Sequence, residues 1–336
     1  MEELCGRYGA DPAALEFLGG GEDWSDGVLY SFSRSSGGEG PMVIKFLSFP
    51  SSDAEAIQRT RERVAFVGYF GEKGSRVIKP EPSLGGRLEE IAEEGGVAHL
   101  AYVYRKAKGR VVNKSDPSTR SGAFYRAMGA TIGQLHASWE ARPETLRADG
   151  TSDQSETLKG WREEWAFFSS WCQDDEVKAA WARLKDALEK LPIDKSSYGF
   201  VHNDAHAWNL IFDPETETAR SGGEPEFTLI DFDVANYHFF LSDAANALYS
   251  IIVMGSGGPE AGEPPPGFVD WAFAQFWEGY RRFRDPAINR LERLDLFLQY
   301  RRCLMFMPFQ EATAKNPAWR ERWKGHILAE DKRLFG

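Results

Sequence analysis

The spacing of apolar residues along this chain changes character near residue 120. Before it, short alternating runs dominate: Val28 to Phe32 (VLYSF), Met42 to Leu47 (MVIKFL), a more polar stretch from Leu88 to Ala92, and Ala98 to Tyr104 (AHLAYVY) each predict a strand, with Val77 and Ile78 a shorter one. The loop Arg34 to Pro41, rich in turn residues, makes the first two strands a hairpin. One helix interrupts them, Ala54 to Phe70, with Ile57, Val64 and Val67 or Phe66 on its inward face. Asp11 as a cap and Pro12 at the first position predict a further short helix over 11–18, closed by a turn at Gly19, Gly20 and Gly21.

After Ser118 the period becomes helical. Phe124, Met128, Ile132 and Leu135 share one face, as do Trp161, Trp165, Phe168 and Cys172, and then Trp181, Leu184, Leu188 and Leu191 ahead of Pro192. Ser242, Asp243 and Ala244 open another helix (SDAANALYSIIV), and the tail predicts three more, Phe268 to Phe283, Ile288 to Phe309 and Pro317 to Leu334. Only Phe200 to Val201, Leu210 to Phe212 and Phe227 to Ile230 read as strands in this half, and the last two flank a long hairpin loop over 213–226. The expectation is an α+β protein, β-rich over 1–105 and mainly helical over 106–336, and 336 residues suffice for two such lobes.

Composition narrows the function classes. Forty basic against 51 acidic residues give a net charge of −11, which disfavours nonspecific binding to nucleic acid or to an anionic membrane. Three scattered cysteines, Cys5, Cys172 and Cys303, form no CxxC pair, as expected of reduced thiols. The acidic start lacks a basic segment followed by an apolar run, and no stretch approaches a membrane span, so a cytoplasmic protein is expected.

The chemistry concentrates in FVHNDAHAWN (Phe200 to Asn209) and LIDFD (Leu229 to Asp233). An aspartate five residues before an asparagine, then an aspartate after an apolar strand, is what phosphoryl transfer needs: a carboxylate to orient and deprotonate a hydroxyl, and hard oxygen donors for magnesium on ATP. HNDAHAWN resembles the catalytic HxDxxxxN segment of the aminoglycoside phosphotransferase and choline kinase group. IDFD looks like its metal-binding aspartate, and IKF and QLHASW upstream fit the same order. The resemblance runs from about Leu18 to Met254 and implies a bilobal protein-kinase-like fold, ATP and Mg2+ as cofactors, and a small hydroxyl-bearing molecule as acceptor. A protein serine or threonine hydroxyl is the alternative, because IDFD recurs in the branch with bacterial stress-response and spore-associated kinases; a nucleotide-binding protein without turnover is another.

By that resemblance Asp204 is the catalytic residue and Asn209 and Asp231 the metal ligands. Lys45 reaches the ATP phosphates, Glu62 pairs with it (Glu55 being a competitor), and backbone groups of Val103, Tyr104 and Arg105 meet the adenine. His202 props the loop, His206 stands beside it, Asp233 holds magnesium or caps a turn, and Asp243 is a helix cap or a brace for the loop. The chain departs from the family's HGDLHPGN at Asn203, Ala207 and Trp208, and LGGGEDWSDGVLY lacks a GxGxxG phosphate loop. Several other residues have ordinary readings: His136 as a satisfied core histidine, the tryptophans as core rather than pocket wall, and Glu163, Glu164, Asp174 and Asp175 as a solvated helix face. Arg301 and Arg302 either face the substrate or cap a core.

Overall fold

The computed structural model describes residues 1–21, 27–34, 40–112, 121–142, 157–213, 223–255, 266–285 and 293–328. The chain divides into two units, one made of Met1–Gly109, Ala141–Leu158 and Thr228–Asp233, the other of Arg110–Glu140, Lys159–Phe227 and Val234–Gly336.

The first unit holds α1 (Glu2–Arg7), β1 (Glu16–Gly20), β2 (Gly27–Phe32), β3 (Met42–Pro50), α2 (Ala54–Glu72), β4 (Pro80–Glu81), β5 (Glu89–Glu94) and β6 (Val97–Arg105). The strands form one antiparallel sheet in the order β1-β2-β3-β6-β4, with β5 also on β6. Alternation along β3 sends Ile44 and Phe46 into a core with Leu4, Tyr8, Phe32 and Val103, and so turns Lys45 to the opposite face. Tyr8 seals that core by donating its hydroxyl to the carbonyls of Leu88 and Ala101, both at 3.0 Å.

Two expectations change here. Over 11–18 the helix is only the 3-10 turn Pro12–Ala14, capped by Asp11 as foreseen, because Glu16 to Gly20 pair with β2 and the Phe17 ring packs edge-on against Tyr30. Val77 is not in a strand but makes a single parallel bridge to Leu229. Helix α1 carried no periodic signal, being six residues long.

The second unit holds β7 (Arg110–Val111), α3 (Gly122–Glu140), α4 (Trp161–Trp171), α5 (Asp175–Glu189), β8 (Tyr198–Val201), β9 (Leu210–Asp213), the first two residues of β10 (Glu226–Leu229), β11 (Asn236–Phe239), α6 (Phe240–Gly255), α7 (Phe268–Tyr280), α8 (Leu294–Phe306), α9 (Gln310–Ala314) and α10 (Pro317–Leu328). β8 pairs with β11, and β9 lies between β10 and β7. Helices α3 and α7 approach until backbone meets backbone: a Cβ on Gly279 would stand 1.8 Å from the Arg126 carbonyl oxygen, and one on Gly129 1.9 Å from that of Phe276. Trp161 and Trp181 are fully buried, and Trp181 stacks on Trp165 and Tyr300, so the helical tryptophan stripe is core. Most of the long 213–226 loop lies outside the described residues.

Candidate active site

In the first unit, Lys45 sits mid-strand with its side chain only 5% exposed. A buried ammonium needs paired negative charge, and it has two carboxylates: Asp231 at 3.3 Å and, closer, Asp233. Burial opposes the charge, but Asp233 and Asp231 outweigh it and raise the Lys45 pKa. Asp233 is pushed up by its own burial and by Asp231 beside it, against the pull of Lys45. Tyr102, opposite Lys45 in the β3–β6 register, turns its hydroxyl toward Asp233 at 3.5 Å. The expected Glu62–Lys45 pair is replaced by this triad. Glu62 is buried on α2 and accepts from Gln58, one turn earlier, at 3.3 Å.

These groups line a cavity of about 260 Å³ that also takes in Leu29, Thr60, Arg63 and Tyr104. Val103 and Tyr104 pair with β3 on one side and β4 on the other, so the ladders occupy the backbone expected to meet adenine. Of that trio only Arg105, which ends β6 and whose side chain holds Glu81, reaches the edge of the ladder. The glycine turn ahead of β2 uses left-handed backbone at Gly20 and Gly21, and Gly27 faces the Phe46 carbonyl too closely for a Cβ; residues 22–26 lie outside the described residues.

In the second unit, β8 delivers His202, Asn203 and Asp204. Asp243, fully buried in the first turn of α6, accepts the backbone N–H of His202 at 2.8 Å and of Asn203 at 2.7 Å. Its third partner is His136 Nε2 at 3.1 Å, while His136 Nδ1 faces the Tyr280 hydroxyl at 2.9 Å. His136 is therefore the satisfied core histidine foreseen, and burial holds its pKa down. Burial would raise the Asp243 pKa, but the His136 hydrogen bond overrides it and keeps the carboxylate charged.

The Asp204 carboxylate is gripped from three directions. Arg301 Nη2 donates to Oδ1 at 2.7 Å, Asn209 Nδ2 donates to Oδ2 at 3.2 Å, and His206 Nε2 stands 3.3 Å from Oδ2. His206 Nδ1 accepts the N–H of Asn209 at 3.2 Å, so in the neutral ring the proton belongs on Nε2, facing Asp204. Burial alone would raise the Asp204 pKa; the His206 hydrogen bond and the Arg301 charge outweigh it and hold the carboxyl well below the usual range. Asn209 also donates to the Asp204 carbonyl at 2.9 Å, which turns its amide oxygen the other way. His202 Nδ1 accepts the Asp204 N–H at 3.2 Å.

Glu164 departs from expectation. It is buried, accepts from Tyr300 Oη at 2.9 Å, Asn236 Nδ2 at 3.2 Å and Asn203 Nδ2, and burial raises its pKa. Its place between Trp161 and Trp165 on the inward face was the available signal. Asp174 caps α5 through Glu176 N and Val177 N and pairs with Arg320 and Lys324, and Glu163 caps Gly160 N, so these acids are structural.

Among the described residues no group of three or more His, Cys, Asp or Glu side chains is disposed to hold a metal unaided. A magnesium ion on a nucleotide asks for less, since phosphates and water complete its shell. The hard oxygens of Asp231 and Asp233, neighbours within the first unit, are of the kind it takes.

An antiparallel sheet with a lysine and helix α2 on one face, joined to a helical unit carrying an Asp–Asn loop, is the α+β protein-kinase-like fold. The chain belongs to the Phosphotransferase enzyme family, whose sequence pattern matches residues 30–285, and it is a phosphotransferase. It is 25% identical over 259 residues to an amicoumacin kinase of Bacillus subtilis (strain 168), covering 75% of this chain and 67% of that protein. Among solved structures it is similar to amicoumacin kinase hAmiN in complex with AMP-PNP, Ca2+ and Ami (TM-score 0.77, 22% identity, 98% of this chain and 92% of the other). A microcompartment-associated aminopropanol kinase matches with TM-score 0.66 at 17% identity over 97% of both chains, and a choline kinase from Streptococcus pneumoniae with 0.56 at 11% over 98% and 97%.

Proposed function

We infer that this protein moves the γ-phosphoryl group of ATP to a hydroxyl of a small molecule such as an amino alcohol, a sugar or an aminoglycoside-like compound. The observation that carries this reading is the Asp204–Asn209 pair on a braced loop in a chain of the phosphotransferase family. The named activities of its relatives, on amicoumacin, aminopropanol and choline, support the acceptor class.

In this reading Asp204 accepts a hydrogen bond from the acceptor hydroxyl and fixes its oxygen for in-line attack. The new O–P bond forms as the bond from the γ-phosphorus to the bridging oxygen breaks, ADP carries away the electron pair, and the hydroxyl proton passes to the Asp204 carboxylate. Lys45, aligned by Asp233 rather than Glu62, supplies a positive charge for the nucleotide phosphates. Asn209 and Asp231, the latter with Asp233 beside it, would hold magnesium, which when bound neutralises phosphate charge. Asp243 acts at one remove, by fixing the backbone of His202 and Asn203.

The test is transfer of label from γ-labelled ATP to a panel of amino alcohols and aminoglycosides. Asp204→Ala is expected to lower kcat by on the order of 10²-fold or more while leaving binding of a non-hydrolysable ATP analogue intact. Full activity of that variant would remove Asp204 from the mechanism.

A further inference from the structure

Helix α8 grips the catalytic loop at two successive residues. Tyr300 donates to Glu164 at 2.9 Å, and Glu164 in turn takes the side-chain amides of Asn203 and Asn236. The next residue, Arg301, puts Nη2 on Asp204 Oδ1 at 2.7 Å. The arginine side chain is 12% exposed and its Nε is buried without a hydrogen-bond partner among the described residues, so its Nη2 bond to Asp204 is what holds the guanidinium there.

The occupancy of Asp204 gives this contact its meaning. A carboxylate offers about four lone-pair positions. Oδ2 is taken by Asn209 and faces His206, and one position on Oδ1 is taken by Arg301. What remains is one direction on Oδ1, fixed in space because the guanidinium is planar and is carried on a packed helix between buried Tyr300 and Cys303. From these contacts we propose that Arg301 is a positioning residue of the transfer step. It locks the Asp204 carboxylate so that its one open lone pair receives the acceptor hydroxyl.

This inference rests on the reading of Asp204 as the acceptor-orienting carboxylate, and two readouts separate them. With 13C-labelled aspartate, the carboxylate resonance absent from Asp204→Asn is that of Asp204. In Arg301→Gln it is expected to move, and kcat to fall on the order of 10²-fold, the scale of a misaligned reacting group, with KM for ATP unchanged. Arg301→Lys is expected to fall between, keeping charge without the planar fork, and methylguanidine added to Arg301→Ala to restore part of the loss, which a folding defect would not permit. A resonance that stays in place in Arg301→Gln overturns the proposal, as does a kcat within about twofold of native. Failure of the native enzyme to phosphorylate any amino alcohol would count against the acceptor reading alone, because the resonance is read on the ligand-free protein.

Discussion

Asn203 and Asp231 are the two non-glycine residues with left-handed backbone among those described, at φ 66 and φ 65. Such conformations cost of order 1–2 kcal/mol for most side chains, least for Asn and Asp. Both residues adjoin the proposed site, one before Asp204 and the other bearing a carboxylate toward Lys45. The family pattern has glycine where this chain has Asn203, and the positive φ explains why a glycine or asparagine belongs there. Asparagine adds what glycine lacks, a side-chain amide for buried Glu164. That trade was visible in the sequence only as a departure, since Glu164 lies 39 positions away.

His238 shows how burial sets a pH limit. Its ring is packed among Trp161, Phe297 and Tyr300, Nε2 has no hydrogen-bond partner, and burial pushes its pKa down to about 3, although the Asp243 charge opposes the shift. Glu164, 4.0 Å away, is itself held toward the neutral form. Between that value and the unfolded value of about 6.5, the unfolded chain binds the proton and the folded one does not. Stability is therefore full above pH 6.5 and falls as pH drops through this window, by about 2 kcal/mol at pH 5 from this residue. Urea unfolding at pH 7 and pH 5 is expected to show a smaller acid loss in His238→Gln than in the native protein; equal losses would place the sensitivity elsewhere.

At the scale of elements, the sequence was legible wherever a run was long and its period clean. α3 and its buried face at Phe124, Met128, Ile132 and Leu135, the hairpin of β2 and β3, and α2 all stand where the apolar spacing put them. What could not be read was decided by distant pairing: Glu16 to Gly20 became an edge strand because β2 was there to pair with, and Lys45 took Asp231 and Asp233, 186 and 188 residues on, over a nearby glutamate. The α3–α7 crossing is likewise silent in one dimension, because Gly129, Gly133 and Gly279 look like poor helix residues until the two backbones touch. There the methyl of alanine meets carbonyl oxygens that cannot step aside. Gly279→Ala is expected to destabilise by about 2 kcal/mol or more, whereas Gly325→Ala on α10, where nothing lies within 4 Å, is expected to gain up to about 1 kcal/mol. Urea midpoints of the two variants decide this, and a neutral Gly279→Ala would contradict the close crossing.

On the scale of the whole molecule, the proposed function divides its labour between two units. Lys45, Asp231 and Asp233 belong to the first, and Asp204, Asn209 and Arg301 to the second. Of these, the motifs HNDAHAWN and IDFD contain Asp204, Asn209, Asp231 and Asp233, the short spacing of hard oxygen donors that the proposed phosphoryl transfer asks for. Arg301 carried no such spacing, and its partner is 97 residues away. In the proposed function Lys45, clasped by two carboxylates, exchanges charge: phosphates would give the ammonium a new partner, and the released carboxylates would suit a divalent cation.

Calorimetric titration with a non-hydrolysable ATP analogue, with and without magnesium, on the native protein and on Asp231→Ala, tests that claim most directly. The native protein is expected to bind the analogue, more tightly with magnesium, and Asp231→Ala to lose that magnesium dependence. Absence of binding under every condition, or identical magnesium dependence in the two proteins, would contradict it.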